Sequence, residues 1–221
     1  MKSLKMSLAL LLMGLISGLA PVVLADSDAG DPYSQIEQVT ADLLTVINSY
    51  SEEYPANEQS YFAALSQLLQ EHVDFTYIAR QVMGPYKTQA TPQQRQLFAT
   101  KFREGLIETY GRGLIDYGDE EIVLVNRSDL KAGQRKVSVK QEIRSGGGVF
   151  PMEYSMALSK RTGKWKAINV VINGINMRNI FRSQFVNAAQ KSGGDIDSVI
   201  AGWSTESLFA NWSTKSYLNE S

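Results

Sequence analysis

The groups able to do covalent chemistry are few in this 221-residue chain. His72 is its only histidine, beside Glu71 and two residues before Asp74. An imidazole so placed is a general base in principle, but the position also suits a solvated histidine at a helix end. No second histidine and no cysteine exists to complete a zinc site. Asp119, Glu120 and Glu121 are adjacent in sequence, so their carboxylates cannot all converge on one ion, and they read as a solvated turn. Gly146-Gly147-Gly148 lies between two strand patterns rather than between a strand and a helix, which makes it a turn and not a phosphate cradle. No catalytic residue, metal ligand or cofactor is assigned. A small enzyme using His72 or a buried acid such as Asp116, and a chaperone for apolar polypeptide, stay open as alternatives.

What remains is a set of large, soft apolar groups. Phe150, Met152, Tyr154 and Met156 fall on one face of a strand pattern. Phe98, Phe102, Leu106, Tyr110 and Tyr117 recur along a helix pattern over 92–117, interrupted by Gly105, Gly111 and Gly113. Each glycine costs a helix interior about 1 kcal/mol against alanine, so something must approach that helix closely, or it must bend. Methionine and aromatic rings can line a cavity that adapts to flexible ligands. The same periodicity suits a filled core, and spacing alone does not separate the two.

The elements that carry these groups follow from local signals. Lys2 and Lys5, the apolar run 8–19 and Val23-Leu24-Ala25 form a secretory leader over 1–25. Removing it leaves 20 of the 22 basic residues against 23 acidic ones, a balance unsuited to nucleic acid. No later apolar run reaches the length of a membrane span. The mature chain reads as one domain over 26–202 and a polar tail over 203–221 that holds Trp203, Phe209 and Trp212. Asp31-Pro32, Asp74 and the Thr91-Pro92-Gln93-Gln94 box each start a helix. From Glu120 the period changes to two, through Ile122 and Leu124, Val137 to Ile143, Phe150 to Leu158, and Trp165 to Ile172. Asn173-Gly174 ends the strands, and 178–191 returns to helix. Helices, then an antiparallel meander, then helix predict a single α+β domain.

Several blocks together resemble a known family. They are V-D-F-T-Y-I-A-R-Q-V-M-G-P-Y (73–86), T-P-Q-Q-R (91–95), T-Y-G-R-G-L-I-D-Y (109–117), W-K-A-I-N-V-V-I-N-G-I-N (165–176) and R-S-Q-F (182–185). In this order, behind a leader, they resemble the periplasmic phospholipid-binding proteins of the Mla pathway, the MlaC or toluene-tolerance family, over roughly 33–202. Asn169 stands where members carry Asp, and Asn173-Gly174-Ile175-Asn176 replaces a Glu-Gly-Val-Ser run. The lost carboxylates put a local salt bridge or turn contact in doubt.

The resemblance implies a cone-shaped α+β fold of the nuclear-transport-factor and cystatin type, helices wrapping a curved antiparallel sheet around a deep apolar pocket. It implies a periplasmic carrier whose only cargo is phospholipid, maintaining outer-membrane lipid asymmetry. Its partners would be an outer-membrane lipoprotein–porin complex and an inner-membrane ABC transporter with a hexameric lipid-binding ring. The chain is expected to be a monomer. With the apolar stripes, the resemblance assigns the pocket to Phe75, Ile78, Ala79 and Val82 on the third helix. Phe98, Phe102, Gly105, Leu106 and Tyr110 on the long helix join it. Val139, Phe150, Met152, Tyr154, Met156 and Val171 are the strand positions, with Ile175 and Phe181 beyond. Arg80, Arg112, Arg178 and Arg182 are the candidates for phosphate contact. A headgroup left near solvent implies selectivity below about tenfold.

Overall fold

The structure is a computed structural model that describes residues 30–115, 120–146 and 148–205. The leader 1–25, Asp116, Tyr117 and the tail beyond Thr205 lie outside the described residues. Helix α1 (Pro32–Ser51) starts where Asp31 accepts from the backbone N–H groups of Tyr33 and Ser34, with Pro32 in the first turn. Helices α2 (Glu58–His72) and α3 (Phe75–Val82) follow, and Asp74 caps α3 by accepting from Tyr77 N at 2.9 Å. A short 3-10 turn (Gly84–Thr88) leads to the 23-residue α4 (Pro92–Leu114). Its start is a complete capping box. Thr91 Oγ1 accepts from Gln94 N at 3.1 Å, and Gln94 Oε1 accepts from Thr91 N at 2.9 Å.

Five antiparallel strands then run in simple order: β1 (Glu121–Leu124), β2 (Lys136–Ser145), β3 (Gly148–Leu158), β4 (Trp165–Ile172) and β5 (Ile175–Asn176). The fifth strand corrects the expectation that Asn173-Gly174 ends the sheet. Those two residues have φ of 49° and 79°, the left-handed pair that a two-residue hairpin needs. Pro151 sits inside β3 without loss, because β4 has already ended beside it. Its carbonyl accepts from Asn173 N at 2.8 Å, on the side where its missing N–H would also point. At the other edge β1 stops at Leu124, and the Asn126 side chain continues the pairing. Its Nδ2 donates to Ser138 O at 3.0 Å and its Oδ1 accepts from Lys140 N at 2.6 Å. Helix α5 (Met177–Lys191), capped by Asn176, and α6 (Ile196–Ala201), capped by Asp195, complete the fold.

The buried apolar residues form three clusters rather than one. The largest joins α3, α4, α5 and α6. In it Phe98 meets Phe185 edge-on at 4.7 Å and Trp203 at 5.0 Å, and Phe102 meets Phe181 at 5.2 Å. Each such pair contributes about 0.5–1.5 kcal/mol beyond its burial. The second packs Tyr33 and Ile36 of α1 on Val139, Met156 and Trp165 of the sheet. The third gathers Ile47, Tyr61, Leu65 and Ile107 where α1, α2 and α4 meet.

Two glycines of α4 have identified neighbours. A Cβ on Gly111 would lie 2.9 Å from Leu65 Cδ1, so this glycine lets α2 close on α4. A Cβ on Gly105 would lie 3.1 Å from Thr205 Oγ1, and Thr205 donates to Gly105 O at 2.7 Å. Gly105 therefore makes room for the chain just beyond α6.

Candidate functional site

Strand register decides which side chains share a face. Val139 pairs with Tyr154 and Tyr154 with Val170, while Gln141 pairs with Met152 and Met152 with Ile172. Ile143 pairs with Phe150 and with Ile122. These residues form one largely apolar face. Glu153, Ser138 and Lys140 occupy the other, where Glu153 Oε1 accepts from Ser138 Oγ at 2.6 Å and Lys140 Nζ lies 3.8 Å from Glu153. The apolar face is turned toward the helices, since Val170 and Ile172 pack on the large helical cluster and Val139 packs on α1.

The helices do not cover that face evenly. Helices α2, α3 and α5 meet the sheet at β4, and α1 meets it at β1 and β2. Phe150, Met152 and Tyr154 stay half-buried although β3 is the middle strand of five. Burial pushes the Tyr154 phenol pKa up, and its hydroxyl donates to Met152 Sδ at 3.7 Å. On α4, Leu106 and Tyr110 are also half-buried, and burial pushes the Tyr110 phenol up to about 12. Ile78 of α3 has the same half-buried status.

Beside this face opens a cleft of about 720 Å³ between α1 and the β1–β2 hairpin. One wall is Glu37, Thr40, Ala41 and Leu44, a single stripe on α1 at i, i+3, i+4 and i+7. The other runs from Ile122 through Leu124 and Val125 to Asn126 and Arg127. Gln141 forms part of the lining and is 2% exposed. Its Nε2 donates to Thr40 Oγ1 at 3.1 Å, and the Thr40 hydroxyl donates to Ile36 O at 2.8 Å. At one end Arg127 pairs with Glu37 at 2.7 Å and with Asp31 at 3.2 Å. At the other, Leu44 packs on the Ile47–Tyr61–Leu65 cluster.

The structure divides the residues assigned from sequence. Half-buried Phe75, Ile78, Leu106, Tyr110, Phe150, Met152 and Tyr154 lie on α3, α4 and the apolar sheet face. Ala79, Val82, Phe98, Phe102 and Phe181 belong instead to the packed helical cluster, and Val139 and Met156 to the α1–sheet cluster. Ile78, Leu106 and Tyr110 pack against the helical cluster, and Tyr154 against the α1–sheet cluster. Val171 pairs with Glu153 and so stands on the polar face of the sheet. Ile175, at the hairpin end, is 40% exposed.

None of the four arginines reaches the cleft lining. Arg112 is held by Glu58 at 3.1 Å and lies over the Phe62 ring, bracing α2 against α4. Arg80 lies over Tyr77. Arg182 lies against the site of a Gly84 Cβ, and the backbone N–H of Arg178 donates to Asn169 Oδ1 at 3.4 Å. Asn169 thus makes a contact to the start of α5 without a carboxylate.

The cleft residues were missed. The one signal available was Gln141, a polar side chain at an inward position of an otherwise apolar strand.

His72 is half-buried, with Gln35 Nε2 at 3.4 Å from its Nδ1. Burial lowers its pKa, against the pull of Glu71 and Asp42. Among the described residues no group of three His, Asp or Glu could hold a metal ion, and no helix is long and apolar enough to cross a membrane.

Comparison with known proteins gives a consistent answer. The chain is 32% identical to toluene tolerance protein ttg2D of Pseudomonas putida, over 90% of this chain and 92% of that one. It is 22% identical to the intermembrane phospholipid transport system binding protein MlaC of Haemophilus influenzae, over 76% and 78%. Among solved structures, it superposes on a phospholipid-binding protein from Ralstonia solanacearum, captured in complex with a phospholipid, with a TM-score of 0.69 and 22% identity. That match covers 82% of this chain and 99% of that one. The family model for MlaC protein matches residues 37–205, most of the chain, and the protein belongs to the MlaC family.

Proposed function

We propose that this protein is a periplasmic phospholipid carrier that exchanges lipid between an outer-membrane lipoprotein–porin complex and an inner-membrane ABC transporter. The observation that carries the reading is the apolar face of β3. Phe150, Met152 and Tyr154 share one face of β3, and Phe150 and Met152 are only half-buried there. Half-buried Leu106, Tyr110 and Ile78 lie on the helices of the adjoining cluster. Family membership and the phospholipid bound by the Ralstonia relative support acyl chain as the occupant of this interior.

The energetics suit a shuttle. Two acyl chains hold about 30 methylenes, which would cost roughly 25 kcal/mol in water at ~0.8 kcal/mol each. An apolar interior recovers most of that, so transfer from a bilayer is nearly isoenergetic and reversible. The test is solvent extraction of protein purified from the periplasm. Phospholipid at one or more molecules per chain is the expected result. Protein that neither carries lipid nor takes it up from vesicles after delipidation would refute the carrier reading.

A further inference from the structure

The cleft between α1 and the β1–β2 hairpin changes character along its length. Glu37 and Arg127 form its polar end, Thr40 and Gln141 its middle, and Leu44 with Ile122 its apolar lining. Glu37 to Leu44 is seven residues of helix, about 10 Å at 1.5 Å per residue. That order, charged then neutral polar then apolar, is the order of groups along a glycerophospholipid.

We infer that this cleft seats the headgroup and glycerol of an amine-bearing, zwitterionic phospholipid, with Glu37 facing the ammonium and Arg127 the phosphate. The inference rests on the carrier reading and adds the headgroup class. Three charges stand at the rim, one positive and two negative. Asp31 is committed, since it caps α1 through Tyr33 N and Ser34 N and accepts from Ser34 Oγ at 2.8 Å as well as pairing with Arg127. Among the described residues Glu37 has one charge partner, Arg127. When a phosphate meets Arg127, Asp31 holds the guanidinium in place and Glu37 turns to the ammonium. An anionic headgroup offers no cation to Glu37 and meets two carboxylates.

The middle of the cleft has a matching group. Gln141 spends one Nε2 hydrogen on Thr40, which leaves the second for an ester carbonyl. A buried amide in apolar surroundings is costly unless its hydrogen bonds are made. The ester contact is common to all diacyl phospholipids, so discrimination falls to Glu37.

The test is a competition. Delipidated protein is equilibrated with vesicles of equimolar phosphatidylethanolamine and phosphatidylglycerol with matched acyl chains, and the captured lipid is identified by mass spectrometry. The wild type should favour phosphatidylethanolamine by about threefold, the discrimination expected of one half-exposed charge. Glu37→Gln should bring the ratio to unity, and Glu37→Arg should reverse it. Glu37 is half-exposed, so neither change threatens the fold. Normal total lipid with no preference, or with a preference that Glu37→Gln leaves intact, overturns this inference and leaves the carrier reading standing. Water-soluble glycerophosphoethanolamine competing as well as the lipid would mean a free-headgroup site and also overturns it. A wild type that captures no lipid refutes both readings.

Discussion

The contact between Gly105 and Thr205 allows a prediction whose sign depends on its background. Alanine at a helical glycine normally gains about 1 kcal/mol. At Gly105 the new methyl would stand 3.1 Å from Thr205 Oγ1. That hydroxyl is fixed by two hydrogen bonds, 2.6 Å to Thr109 Oγ1 and 2.7 Å to Gly105 O. Displacing it forfeits both, about 1 kcal/mol each. Gly105→Ala should therefore destabilise by about 1 kcal/mol, or roughly 2–4 °C for a domain of this size. In a Thr205→Ala background the nearest atom becomes the Cβ of residue 205 at 3.9 Å, an ordinary contact. There the same change should stabilise by about 1 kcal/mol. The coupling between the two sites is then about 2 kcal/mol, well above what independent sites show. The assay is thermal unfolding of the four delipidated proteins, because bound lipid would itself raise the midpoint. A midpoint that Gly105→Ala raises equally in both backgrounds would refute the claim that Thr205 sets this glycine.

Gly111→Ala should cost about 1–3 kcal/mol through the 2.9 Å approach to Leu65, read in the same unfolding assay. Met152→Trp should leave the delipidated fold near wild-type stability while lipid per chain falls, and a variant that unfolds easily yet holds full lipid would place Met152 in the core. His72 gives a pH dependence of known sign. Burial depresses its folded pKa below the ordinary 6.5, so its contribution is complete above pH 6.5 and is lost as pH falls through the folded value. As the chain has one histidine, His72→Gln should flatten the stability profile just below pH 6.5.

The helix starts were legible because capping is local: Asp31, Asp74 and Thr91 each bond to N–H groups two or three residues away. The α+β order was legible from the change of period at Glu120. The face of Val171 was not. A strict alternation from Trp165 runs through 167 and 169 to 171. In the structure Ser155 pairs with Asn169 but Met156 with Ala167, so Ile168 is an extra residue and parity switches. Val170 and Ile172 face the helices instead, packing on the large helical cluster. The role of Gly105 was hidden because its partner lies 100 residues away. Fully buried and half-buried positions share one periodicity, so Phe98 and Phe102 carried the same pattern as Leu106 and Tyr110. Burial separates them. Arg127 was passed over because its partners, Asp31 and Glu37, are distant in sequence, Glu37 by 90 residues.

The amide of Asn126 has a consequence for self-association. A sheet edge with unpaired N–H and C=O groups is a template on which another chain adds a strand, the first step toward fibres. Helical cover would be one defence, but it would compete with the cleft for α1. Here β1 ends early, and one side chain occupies the next two bonding positions of β2, at Ser138 and Lys140. A second molecule arriving beyond Leu124 finds Ser138 O and Lys140 N already bonded. Beyond Leu124 a single side chain thereby takes the place of further strand, beside the cleft.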